Sequence, residues 1–225
     1  MRSWIPNAFT LSNLVFGILS IHYTFQKEYS LAAILIILSL VADAFDGRTA
    51  RALGVSGDFG KELDSLCDGV SFGVAPAFLI YHFAQFEQFQ LIGAFVAILY
   101  AICGIFRLAR FNTMADVVKG YFLGMPIPTG GCLIATYVLS ELHFSPWVVL
   151  LLVLLWGPLM VSTFKFPDFK GDSAYPNNKI AMILAICVGI YFLTLSWKAI
   201  GFSLFFSYMV FGMLNTFFSK VKPNK

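Results

Sequence analysis

VADAFDGRTARALGVSGDFGKELDSLCDGVSFG, residues 41–73, holds six of the chain's twelve acidic residues: Asp43, Asp46, Asp58, Glu62, Asp64 and Asp68. It lies between two long apolar runs in a chain of 225 residues that is 59% hydrophobic, 12% charged and carries 25 phenylalanines. A soluble domain has about a quarter of its residues charged, and one membrane span needs roughly 20 mostly apolar residues. That apolar unit recurs along the whole chain. The sequence therefore predicts an all-α, polytopic membrane helix bundle, and the acidic stretch is the departure that calls for a function.

Hydropathy predicts eight helices, at about 8–26, 31–53, 59–83, 90–111, 127–142, 145–164, 179–196 and 198–219. Pro76 should kink the third, because its ring clashes one turn back and donates no hydrogen bond. The first apolar run lacks a basic cluster before it and a small-residue cleavage pattern after it, so it reads as a retained helix. With eight spans, thirteen of the fifteen basic residues fall on the side of the two termini, and only Lys27 and Lys198 fall opposite. Basic residues concentrate in cytoplasmic loops, so both termini are expected in the cytoplasm, with the acidic stretch facing it from the inner membrane. His22, His82 and His143 fall at the far end and read as interfacial polar residues. The four cysteines are widely spaced and form no C-x-x-C pair, which suggests neither zinc nor a disulfide framework. The whole chain reads as one membrane-embedded domain, with a six-helix catalytic core over about 1–164 and a C-terminal helix pair over about 165–225. Nothing points to a nucleic-acid partner.

Residues three and four apart share a helix face. Asp43, Asp46, Gly47 and Ala50 thus form one stripe at the end of helix 2, and Gly60, Asp64 and Asp68 form another at the start of helix 3. The glycine-containing ALGVSGD segment should fold helix 3 back beside helix 2, so the two pairs of carboxylates converge. Gly47, Ala50 and Gly60 add no bulk, and Arg51 reaches the same space. A solvated loop accounts for Asp58 and Glu62 but not for acids set in apolar sequence, where each Asp costs about 2.5–3.5 kcal/mol at mid-membrane. A cationic partner should offset that cost. Oxygen ligands without His or Cys favour Mg²⁺, Mn²⁺ or Ca²⁺, and four carboxylates suffice for two such ions. Paired hard cations suit phosphoryl transfer, and a carboxylate left partly free of metal can take a proton from the nucleophile.

The pattern D-x-x-D-G-x-x-A-R-x8-G-x3-D-x3-D is filled at every fixed position by Asp43, Asp46, Gly47, Ala50, Arg51, Gly60, Asp64 and Asp68. It resembles the signature of the CDP-alcohol phosphatidyltransferases. IPNAFTLSNLVFG, FGKELDSLCDGVSFGVAP, FRLARFN and GMPIP look like segments of that family's bacterial and archaeal phosphatidylserine synthases; Cys67 stands where a small residue such as Ala is expected. The resemblance implies a membrane transferase that uses CDP-diacylglycerol and two divalent ions, Mg²⁺ or Mn²⁺, and releases CMP. It implies Asp43, Asp46 and Asp64 as metal ligands, with Asp68 as ligand and general base. It places Gly47, Ala50, Arg51, Ser56, Gly57 and Gly60 around the cytidine diphosphate, joined by Pro6, Asn7 and Thr10 of helix 1. It also suggests a homodimer.

For the acceptor alcohol, Arg107 and Arg110 share a face at the end of helix 4, with Asn112 following. They are read either as a grip for the carboxylate of L-serine or as anchors that snorkel to lipid headgroups. Phosphatidyl transfer to the serine hydroxyl is the function expected. A phosphorylated acceptor should need a larger basic pocket than Arg107, Arg110 and Lys119 supply, and choline an aromatic cage. A cation transporter is the alternative from another class. Against it, the acids sit at one mouth only and Arg51 stands beside them.

Overall fold

Apolar runs build the helices of this chain, and glycine, proline and extended segments end them. The computed structural model describes residues 4–55, 57–114, 120–168 and 178–221. Among these residues eight helices follow in chain order: α1 (Trp4–Phe25), α2 (Tyr29–Leu53), α3 (Asp58–Phe83), α4 (Leu91–Met114), α5 (Ile127–Leu139), α6 (Pro146–Val161), α7 (Lys179–Leu195) and α8 (Ile200–Val221). Five apolar segments are long enough to cross a membrane, namely α1 from Pro6, α2, α3, α4 and Trp197–Ser219, which takes in most of α8. The chain is a multi-pass membrane protein.

The other three helices are shorter than the spans expected, at 13, 16 and 17 residues. For α5 the reason is visible. Eleven of its thirteen residues are buried, and it packs among α2, α3 and α8. A helix surrounded by protein need not match the bilayer thickness, because neighbours satisfy the backbone at its ends.

Burial on α1 runs opposite to that of a soluble helix. Pro6, Thr10, Asn13, Gly17, Ser20 and Thr24 recur at helical spacing and are buried, while Leu11, Val15, Ile18 and Leu19 are 37–53% exposed. Small and polar residues let helix backbones approach each other in a membrane, and the apolar side chains face lipid. A Cβ on Gly17 would collide with the backbone and side chain of Ser71 in α3.

Two details of α3 differ from expectation. Its first part packs chiefly against α1 rather than beside α2, which leaves a cleft between the two acidic stripes. Gly54 closes α2 in the left-handed conformation (φ 63°), its N–H meeting the carbonyls of Ala50 and Arg51, and lets the chain reverse within a few residues. The interruption expected at Pro76 takes the form of a π-helical turn over Gly69–Val74, immediately before the proline. The wider turn, in which the Ala75 N–H reaches back to Val70, shifts the carbonyl register that Pro76 would otherwise obstruct.

A two-stranded antiparallel ribbon, which hydropathy does not predict, joins the helices. β1 (Tyr121–Leu123) pairs with β2 (Lys165–Pro167), with Phe122 opposite Phe166. The sixth helix accordingly stops at Val161 rather than near 164, since the chain runs extended into β2. The ribbon is fastened from both sides. On α8, the Thr216 hydroxyl accepts the Lys165 N–H at 2.8 Å and the Tyr208 hydroxyl donates to the Pro167 carbonyl at 3.0 Å. On α4, the Arg110 guanidinium donates to the carbonyls of Leu123, Met160, Val161 and Ser162. An ammonium cannot reproduce that planar fork. Arg110→Lys should lower the melting midpoint in detergent by about 3–8 °C, corresponding to about 1.5–2 kcal/mol of charge-assisted hydrogen bonding; a fluorescence melt of the purified variant measures it.

Candidate active site

The end of α2 carries Asp43, Asp46, Gly47, Ala50 and Arg51, and the start of α3 carries Gly60, Lys61, Asp64 and Asp68. α1 joins the two stripes. Its Thr10 hydroxyl donates to Asp46 Oδ2 at 2.8 Å, and its Asn13 amide donates to Asp68 Oδ1 at 2.8 Å. Asp46 and Asp68 are buried, at 6% and 7% exposure. One carboxylate oxygen from each of Asp43, Asp64 and Asp68 lies within 4.8 Å of the others. Asp46 stands beside this trio, turned to Thr10.

Three carboxylates this close repel one another strongly, and burial removes the water that would screen them. No lysine or arginine pairs with any of the four acids within salt-bridge distance among the described residues. Arg51 lies within electrostatic reach of Asp46, and Arg107 within reach of Asp68. Asp64 Oδ1 is buried without a hydrogen-bond partner. A divalent cation fits this arrangement: the donors are all oxygen, they converge, and one of them has no partner in the protein.

Beside the trio opens a cleft of about 200 Å³. Pro6, Asn7, Thr10, Gly47, Ala50, Arg51, Gly57 and Gly60 all line it, and these are the residues expected around the nucleotide. Ser56 and Lys119 lie outside the described residues. The cleft glycines differ from the packing glycines. A Cβ on Gly47 would stand 3.5 Å from Arg51, and one on Gly60 would stand 3.7 Å from Asn7, both ordinary contact distances. The protein's own packing therefore tolerates a methyl group at either place. What those glycines spare is the space of the cleft.

The acceptor candidates separate. Arg107 is buried, with its guanidinium carbon 5.2 Å from the Phe111 ring centre and 6.0 Å from that of Phe122, and its Nε has no partner. Arg110 is committed to the four carbonyls described above, so the expected two-arginine grip is corrected to one available arginine. The Asn112 amide donates to Ser65 Oγ at 2.9 Å, which ties α4 to α3. The sequence assigns no site role to Lys61 and Val55, which also line the cleft, or to Asn13, which falls within the IPNAFTLSNLVFG segment of the resemblance.

Residues 3–164 match the sequence model of the CDP-alcohol phosphatidyltransferase family. Among curated proteins, the chain is 34% identical to a CDP-diacylglycerol–serine O-phosphatidyltransferase of Helicobacter pylori over 96% of its own length and 92% of that protein. It is 38% identical to the protein of that name from Bacillus subtilis, over 76% of this chain and 94% of the relative. With the one from Methanocaldococcus jannaschii it shares 39% identity, over 83% of each chain.

The convergent carboxylates make metal binding the property to measure first. Mn²⁺ at about a hundredfold excess over its Kd should stabilise the purified protein by about 2.7 kcal/mol and raise its melting midpoint by about 5–10 °C. EDTA should reverse the shift, and Asp64→Asn should remove most of it.

Proposed function

The chain belongs to the CDP-alcohol phosphatidyltransferase family, and from that premise we propose that it transfers the phosphatidyl group of CDP-diacylglycerol to the hydroxyl of L-serine, giving phosphatidylserine and CMP. The observation that carries the reading is the meeting of three groups at one mouth of the bundle: the Asp43–Asp64–Asp68 trio, the cleft beside it, and the buried Arg107 within reach of Asp68. The names of the relatives support serine as acceptor.

In this reading the cleft takes the cytidine diphosphate, with Arg51, Lys61 and Asn7 facing it. Asp43, Asp46, Asp64 and Asp68 would hold two divalent cations, Mg²⁺ or Mn²⁺, which when bound would supply the charge that neutralises a pyrophosphate. Arg107 receives the serine carboxylate, its guanidinium already oriented by the rings of Phe111 and Phe122. Asp68 takes the proton of the serine hydroxyl as the hydroxyl oxygen bonds to the phosphorus that bears diacylglycerol. The bond from that phosphorus to the bridging oxygen breaks, and CMP leaves with that oxygen. A single displacement needs no covalent intermediate on the protein.

The basic residues gathered on one side support a cytoplasmic active site and cytoplasmic termini in the cell membrane. The match over residues 3–164 supports a catalytic core over about 1–164 with an appended C-terminal helix pair. A homodimer is proposed from family membership alone.

Release of CMP from CDP-diacylglycerol by purified protein with Mn²⁺ should require serine, and glycerol 3-phosphate, inositol phosphate or choline should not replace it. Serine-independent release at the full rate would overturn the acceptor assignment. Asp68→Asn should cut kcat by about 10²–10⁴-fold while sparing CDP binding, whereas Asp46→Asn should weaken nucleotide binding more. Arg107→Gln should raise the KM for serine by about 10–100-fold, the loss of one charge-assisted hydrogen bond, and leave the KM for CDP-diacylglycerol near its wild-type value.

A further inference from the structure

Asn13 is fully buried, and three hydrogen bonds meet on it. Its side-chain amide donates to Asp68 Oδ1 at 2.8 Å. Its backbone carbonyl accepts from the Ser39 hydroxyl of α2 at 3.1 Å and from the Ser71 hydroxyl of α3 at 2.9 Å. The residue is thus anchored to both helices that carry the acidic stripes. Ser71 reaches it because α3 widens into its π-helical turn directly after Asp68 and because Gly17 lets α1 approach Ser71 closely.

An asparagine kept only to satisfy a polar core would be expected to have both ends of its amide paired. Here the Nδ2 end is paired to Asp68, while Oδ1 is buried without a partner. A carboxylate accepts and does not donate, so the contact itself dictates that the NH₂ faces Asp68. One N–H held at Oδ1 sets the rotation of the Asp68 carboxylate within the trio.

We propose that Asn13 is a positioning residue for Asp68, holding its carboxylate in the orientation that both the metal trio and proton acceptance from serine require. The inference rests on the assignment of Asp68 made above. It concerns a residue of α1, outside the aspartate signature.

The test uses Asn13→Ala in the full-length protein, with Asn13→Leu as a second variant that fills the volume should the first fail to fold. Each monodisperse variant is measured for kcat, for KM of both substrates, for Mn²⁺ affinity by electron paramagnetic resonance without substrate, and for its melting midpoint. The expected result is a kcat lower by about 10–100-fold and Mn²⁺ binding weaker by about tenfold or more, as for the loss of a hydrogen bond that orients a metal-ligating group. At saturating Mn²⁺ the KM for CDP-diacylglycerol should stay within about twofold, since Asn13 is assigned no contact with the nucleotide. The proposal requires both losses: a wild-type value for kcat or for Mn²⁺ affinity overturns it, as does a loss confined to the melting midpoint. Asp68→Asn measured alongside separates the two levels. If that variant stays active, the assignment of Asp68 fails. If it is inactive while Asn13→Ala turns over normally, only the role of Asn13 fails.

Discussion

Asp43, Asp64 and Asp68 bring carboxylate oxygens within 4.8 Å of one another at the end of an apolar bundle, and the surrounding structure is arranged to make that tolerable. At such separations each ionised pair costs about 3–4 kcal/mol at an effective dielectric of 20. Donors offset part of the cost: Thr10 serves Asp46 and Asn13 serves Asp68, both from α1. The remaining charge is of the sign that a divalent cation would offset. A fold that keeps this arrangement holds a site organised for a ligand that carries the opposite charge or brings it along.

α1 is central because it touches both acidic helices while α2 and α3 scarcely touch each other at that end. Had α3 packed directly beside α2, the carboxylates would have filled their own site. Instead α1 holds the helices apart and in register, and the cleft lies between them. The arginine next to the acidic site has a similar dependency. Arg110 and α8 brace the β1–β2 ribbon, and the ribbon places Phe122 beside Arg107. Through those contacts α8, which lies beyond the stretch matched by the family, supports the arginine assigned to the acceptor.

Much of the site was legible in the sequence for a simple reason: eight of its positions repeat at helical spacing within 26 residues, and local spacing is what a sequence displays. The lining of the cleft by Gly47, Gly60 and Arg51 follows from the same spacing. Arg107 and Arg110 show where it stops. They are three residues apart on one helix with the same charge, and from the sequence they are interchangeable. Only the extended segment after α6 and the ribbon, contributed by residues 121–123 and 160–167, commit one to carbonyls and leave the other with an unpartnered Nε. Asn13 lies thirty residues before the signature, and its partner is named by no periodicity.

The sequence by itself determined that the chain is a helical membrane bundle and that four aspartates share one end of it. Hydropathy sets what must face lipid, and the 3.6-residue period sets which acids face the same way. The tertiary structure alone decided that α1 packs against both acidic helices, that α5 is a short helix enclosed by protein, and that Asn13 and Asp68 meet. Those outcomes depend on backbone approach at Gly17 and Ser71, on the π-helical turn, and on hydrogen bonds between residues distant in the chain. None of these has a local pattern, because each is settled only when three helices pack together.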